Sequence, residues 1–256
     1  MNILLVNEAG CFAPGIIALA KTLSKNHRVV IVAPLHPQFK SGHKITTGAY
    51  PLRVKQYFVL NKIKIFSVNG TPVDCVTLAI DKILRSKPDL IISGISGRHS
   101  RGEVIYTSGV VSAAIAGTIQ GIPSIALSAK IRDETDEKSF MPIANMFARR
   151  LSYYVKNMVP NTTLNINYPE RYLSNKIVCT PLTCDIINNK YTYEVNPFGN
   201  TFYWLKEDIS GWAAAALGQR GDIYWLKKGY ITITPLKLNL TSDEAIGIIE
   251  KSGIKI

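Results

Sequence analysis

Long hydrophobic runs are missing from this chain of 256 residues: no stretch approaches the roughly 18 apolar residues that a membrane span requires. No basic region precedes a signal-peptide core, since the amino terminus opens directly into a strand-like segment, and a cytoplasmic location is expected. Cysteine is scarce. Cys11, Cys75, Cys179 and Cys184 show no Cys-x-x-Cys spacing, which excludes the common zinc and dithiol motifs and leaves free thiols in a reducing compartment. His36 and His99 do not stand at metal-ligand spacing either, and there is no internal repeat or low-complexity segment. Acidic residues are in the minority, 18 Asp and Glu against 30 Lys and Arg, for a formal charge of +12. That surplus favours anionic partners: phosphates, nucleic acid or acidic surfaces. The lysines are scattered and no basic amphipathic helix stands out, so nucleic-acid binding rests on charge alone and a generic solvated surface explains the charge equally well.

What the chain does have is apolar material, 46% of its residues, enough for the core of one large domain or of a domain with an extension. The opening stretch sets the pattern. Ile3 to Val6 reads as a buried strand, stopped at Asn7 by a turn with Gly10 available for a positive φ. Pro14 sits where a helix begins, and Ile16, Leu19, Ala20 and Leu23 recur at helical spacing. Val29 to Ala33 is a second strand. Right-handed crossover makes the two strands a parallel pair. Ligands collect in such sheets where strands end and helices begin, so the turn from Asn7 to Gly15 is a candidate site.

Further along, residues 35–50 read as a loop lying near that turn. Val54 to Leu60 and Ile63 to Val68 read as two strands joined around Asn61-Lys62. Thr71-Pro72-Val73-Asp74 is a capping box opening a helix that runs to about Arg85. Leu90 to Gly94 is a strand. The loop from Gly94 to Thr107 carries Ser96, Arg98, His99, Ser100 and Arg101, and Ser108-Gly109 opens a small-residue helix over 110–120. A helix start with a hydroxyl and a glycine is a competent anion site, and a plain cap by Ser108 accounts for the same residues. A strand at Ser124 to Ser128, a charged loop over 132–138, a helix from about Phe140 to Lys156 and a strand at Leu164 to Asn167 follow. Alternation of this kind predicts a mainly parallel sheet with helices on both faces. The tail reads as strands, Lys176 to Thr180, Tyr191 to Val195, Thr201 to Leu205 and Tyr230 to Pro235, with helix only near 212–217.

These pieces, in this order, resemble the survival protein E family of metal-dependent nucleotidases. The resemblance covers nearly the whole chain: the opening turn with Ala13-Pro14-Gly15, Val32-Ala33-Pro34, Gly70 to Val76, Ser93-Gly94-Ile95, Ser108-Gly109, Gly121-Ile122-Pro123, Leu164 to Asn167, Gly199 to Trp204 and Gly229 to Leu236. It implies an α/β fold with a three-layer Rossmann-like core over residues 1–175. It also implies a β-rich extension over 176–256 that is exchanged between subunits of a dimer or tetramer. The implied activity is hydrolysis of nucleoside 5′- or 3′-monophosphates with a divalent cation, magnesium or manganese, as cofactor.

The family's ligand positions are changed here. Its opening turn, Asn-Asp-Asp-Gly, places two metal-binding aspartates where this chain has Glu8 and Ala9. A serine ligand in the loop after the second strand aligns with Phe39, and Ser41 takes over only if the loop is re-registered. An asparagine ligand aligns with Ser96, and the phosphate-gripping Ser-Gly-Thr reads Ser108-Gly109-Val110. Magnesium or manganese wants about six oxygens and charged carboxylates to offset dehydration. Glu8 supplies one carboxylate, Ala9 and Phe39 supply nothing, and the hydroxyl of Ser96 is a poor substitute. Loss of the second charge costs several kcal/mol at such a site. The same region gains Arg98, His99 and Arg101, and Arg binds phosphate as a planar fork without a metal. The expectation is a pocket built from Asn7, Gly10, Ser96, Arg98, Arg101, Ser108 and Gly109 that binds a phosphorylated small molecule or nucleotide with little or no hydrolysis. The competing expectation is an active enzyme with a weak site rebuilt from Glu8, Ser96 and Ser41. Tail aromatics such as Tyr203 and Trp204 are expected at an interface or in the core, and Asp222 as a structural hydrogen-bonding residue.

Overall fold

A computed structural model describes residues 1–48, 50–59, 63–170, 176–183, 189–207 and 221–252. Two features expected from the sequence, the Asn61-Lys62 join and the helix near 212–217, lie outside these residues, as does Cys184. The central sheet has nine strands: β1 (Asn2–Val6), β2 (Arg28–Pro34), β3 (Val54–Val59), β4 (Ile63–Val68), β5 (Leu90–Ser96), β6 (Ser124–Ala129), β7 (Thr162–Tyr168), β8 (Ile177–Cys179) and β11 (Ile231–Lys237). Their order across the sheet is β3-β4-β2-β1-β5-β6-β7-β11-β8. The run from β4 to β7 is parallel, while β3 pairs antiparallel with β4 and β11 antiparallel with β7.

Period-two alternation divides the core between the two faces. Ile3 and Leu5 point to the layer formed by helices α1 (Pro14–Leu23) and α4 (Glu137–Lys156), where Ile16, Leu19, Phe140, Phe147 and Leu151 are buried. Leu4 and Val6 point the other way, towards α2 (Pro72–Leu78) and α3 (Gly109–Ile119), against Val73, Val76, Ala113 and Ala116. The molecule therefore has the three layers and mainly parallel sheet that the alternation predicts.

Several boundaries differ from the sequence expectation. The capping box at Thr71 is present, with Asp74 also accepting from the N–H and hydroxyl of Thr46, but α2 ends at Leu78 and continues as a π-helical turn over Ala79–Ile83. The charged segment 132–138 is not all loop. Asp136 caps α4 through the Lys138 N–H, and Glu137 pairs with Lys21 at 2.7 Å, so the helix begins three residues before Phe140. A short 3-10 helix, Gly102–Tyr106, interrupts the loop before α3.

The tail holds a helix that the strand-like reading missed, α5 (Asp222–Lys227), and a further one beyond the stretch read as strands, α6 (Asp243–Lys251). Its other strands, β9 (Asn189–Val195) and β10 (Thr201–Glu207), form a separate antiparallel hairpin. Strands β8 and β11 return to the main sheet. The buried Asp222 locks this return to the loop before α3. It accepts from the backbone N–H groups of Gly102 (2.9 Å), Thr183 (3.0 Å) and Ile223 (2.8 Å), and from the Thr183 hydroxyl (2.8 Å). Replacing it by Ala strands these donors inside the protein, and Asp222→Ala is expected to cost about 3 kcal/mol in urea denaturation, with Asp222→Asn losing clearly less.

Candidate functional site

The site lies at the carboxyl ends of β1 and β5 and the amino end of α3, where a parallel sheet leaves a crevice. Asn7 closes β1, fully buried, and its Oδ1 accepts from the Gly10 N–H at 2.9 Å. Gly10 has a φ of +113°, a conformation that a side chain would strain, and this turns the chain tightly back beneath Pro34. The turn sends the Glu8 side chain inward. Glu8 is only 6% exposed.

Its carboxylate is held from two sides. Oε1 accepts from the Ser96 hydroxyl at 3.1 Å, and Oε2 accepts from the Gly109 N–H at 2.9 Å. Ser96 reaches this position because the register of β5 against β6 shifts between Gly94 and Ser96. Gly109 needs to lack a side chain: a Cβ there would lie 2.9 Å from Ser41 Oγ and 3.0 Å from Glu8 Oε2. Burial raises the Glu8 pKa above its usual range, while the Ser96, Gly109 and Val110 bonds and the Arg98 charge work in the opposite direction.

The loop after β2 brings Ser41, not Phe39, to this point. Gln38 N–H donates to the Glu8 carbonyl and Gly42 N–H to that of Thr107, and the Ser41 Oγ between them is buried without a partner among the described residues. Phe39 faces outward at 40% exposure, and the Arg98 guanidinium lies over its ring at 5.1 Å. Arg98 also pairs with Glu134 at 3.6 Å and leaves 63% of its side chain exposed. Thus Asn7, Glu8, Ser41, Ser96 and Ser108-Gly109 converge, with Arg98 at the rim. The charge of Arg101 is felt at His99 instead.

Sequence reasoning overlooked the support beneath the site. Ser108 caps α3 through the Val111 N–H, and its hydroxyl meets that of Ser100 at 2.9 Å, which in turn accepts from Ser128. The Ser100 carbonyl accepts from Asn165 (2.7 Å) and Asn167 (2.9 Å), and its N–H donates to Asn167 Oδ1. Two asparagines at period two in an otherwise apolar strand were the available signal, because buried amides need partners.

The residues present do not fit a magnesium or manganese ion. One carboxylate faces the crevice and both of its oxygens already accept hydrogen bonds, Ala9 offers a methyl group, and the remaining oxygens are neutral hydroxyls. Among the described residues no group of three or more His, Cys, Asp or Glu side chains could hold a metal ion.

His99 does not add the positive charge expected of it. Its Nε2–H donates to the Tyr168 carbonyl at 2.7 Å, and burial drives its pKa from 6.5 down to about 4, aided by the charges of Arg101 and Lys130. It is neutral at pH 7. The unfolded chain takes up this proton near 6.5 and the folded one near 4, so falling pH favours unfolding. The stability contributed by neutral His99 is complete above pH 6.5 and is lost as pH falls towards 4; urea midpoints measured across that window are expected to fall less steeply in His99→Gln.

Comparison with known proteins follows the same architecture. Residues 3–192 match the family described as Survival protein SurE. The protein named 5′-nucleotidase SurE from Thermoanaerobacter sp. is 37% identical over the full length of both chains. Its namesake from Pseudothermotoga lettingae is 33% identical, covering 96% of this chain and 92% of its own. The crystal structure of SurE from Aquifex aeolicus superposes with a TM-score of 0.77 at 34% identity, covering 98% of this chain and 99% of that one. With the fold, the order of motifs and full-length identity in agreement, the chain belongs to the SurE family.

Proposed function

We propose that this chain is a SurE-family protein in which metal-dependent hydrolysis of nucleoside monophosphates is lost or greatly weakened, and which recognises a phosphate- or nucleotide-type anion through its own side chains. The observation that carries this reading is the engagement of Glu8. The one carboxylate at the substituted ligand positions is bound by Ser96 and the start of α3, and among the described residues no second carboxylate joins it to hold a dication. Arg98, exposed at the rim and backed by the Phe39 ring, is the cation available to an incoming anion. One observation favours the alternative, an active enzyme with a rebuilt site: the buried, unpartnered Ser41 hydroxyl stands beside Glu8 and Gly109, where a third oxygen ligand would be wanted.

Oligomerisation belongs to the same proposal. On hairpin β9–β10, Tyr193 faces Tyr203 and Tyr191 faces Leu205, which puts four apolar side chains on one exposed face. Such a patch wants cover, and a second copy of this chain is the occupant that supports a dimer or tetramer. Tyr203→Lys, at the centre of the patch, is expected to shift the sedimentation coefficient to that of a monomer.

Activity is tested by phosphate release from nucleoside monophosphates and an aryl phosphate with magnesium, manganese or cobalt, against a chelator control. Turnover at the level of the blank is expected from folded protein. Chelator-sensitive turnover that disappears in Glu8→Ala would establish the rebuilt site instead.

A further inference from the structure

We propose that Glu8 is a built-in ligand of the α3 amino terminus, a side-chain carboxylate seated where an external phosphate would bind and excluding it until displaced. The inference rests on the anion-binding reading above and gives that site its regulation.

The geometry is that of a bound anion. Helix α3 is 11 residues long and begins after a Ser108 cap. The N–H groups of its first turn lack intrahelical acceptors and carry the positive end of the helix dipole. Gly109 gives its N–H to Glu8, and the Ser96 hydroxyl completes the grip from the end of β5. A free anion at a helix start is held by the same kinds of donor. Here the anion is covalently part of the chain, so its local concentration is high and its ordering cost is met during folding.

A second observation shows that the seat has more donors than the carboxylate uses. The Ser41 hydroxyl is buried and unpartnered at the very glycine that Glu8 contacts, so close that a Gly109 Cβ would lie 2.9 Å from it. Asn7, preceding Glu8 and fully buried, keeps an Nδ2 group without an acceptor among the described residues. Such groups are uncommon in protein interiors and call for a partner. A phosphate brings more acceptor oxygens than a carboxylate, but it cannot share the Gly109 N–H with Glu8. Two like charges placed together out of water repel strongly. Arg98, whose charge reaches Glu8 from the rim, then meets the displaced or incoming charge.

Titration calorimetry and thermal melting with inorganic phosphate, in chelator, test this on the full chain, with circular dichroism confirming folding. Glu8→Ala is expected to bind phosphate at least tenfold more tightly than the unaltered protein, and phosphate is expected to raise its melting temperature selectively. Glu8→Gln keeps an oxygen for Gly109 but loses the charge, and its affinity is expected to lie between the two. It also carries the test should Glu8→Ala fail to fold. Affinities in the folded variants equal to that of the unaltered protein, whether measurable or nil, would overturn the proposal. Adding Arg98→Ala separates the two readings. Tightening in Glu8→Ala that is indifferent to Arg98 leaves the internal ligand standing and removes the Arg98 role. Phosphate binding that needs Arg98 and ignores Glu8 removes the internal ligand and keeps the anion reading.

Discussion

A carboxylate taken out of water has to be met by donors, and the arrangement around Glu8 follows from that requirement. Its two oxygens draw the Ser96 hydroxyl and the first N–H groups of α3 to one point. For this to happen β1 must end in a tight turn, which Gly10 permits, β5 must shift register at its end, and α3 must begin with a residue that has no side chain. Each feature is local, and each would be without purpose unless the other two were present. The carboxylate joins the ends of two strands, β1 and β5, to the helix that follows the second of them.

Behind this contact stands a polar layer that orients it. Ser100 connects Ser108, Ser128, Asn165 and Asn167, so the loop before α3 is fixed on strands β6 and β7 and does not depend on its own charged residues. Asp222 extends the same support to the tail by gripping Gly102. Buried polar networks of this kind are rigid when every member is satisfied. Among the described residues, Asn7 Nδ2 and Ser41 Oγ are left without partners at the crevice, and Asn165 Oδ1 is left without one in the supporting layer.

Membership of the SurE family and the chemistry at the crevice are separate matters. The fold depends on alternating apolar strands, helix caps and close-packing glycines, and these are present in a chain 33–37% identical to relatives of the family. Binding of a hard dication depends on a few charged oxygens in one place. A scaffold held together by apolar burial tolerates changes at those few positions, because they contribute little to the core.

The sequence alone determined the layers, the parallel sheet and the place where the site would form. Strand alternation in Ile3 to Val6, the Thr71 capping box and the spacing of Ile16, Leu19 and Leu23 are local signals read over a few residues, and burial in the structure follows them. The chain's charged segments misled where a cap was needed: Asp136 looked like loop and begins a helix. Helix α5 was missed because six residues are too few to show a helical period. Only the tertiary structure decided that Ser41 and not Phe39 stands against Gly109, that Glu8 grips α3, and that His99 is neutral against Tyr168. Those outcomes depend on distances between residues 68 to 101 positions apart and on the water that packing removes, and neither quantity is written in local sequence pattern.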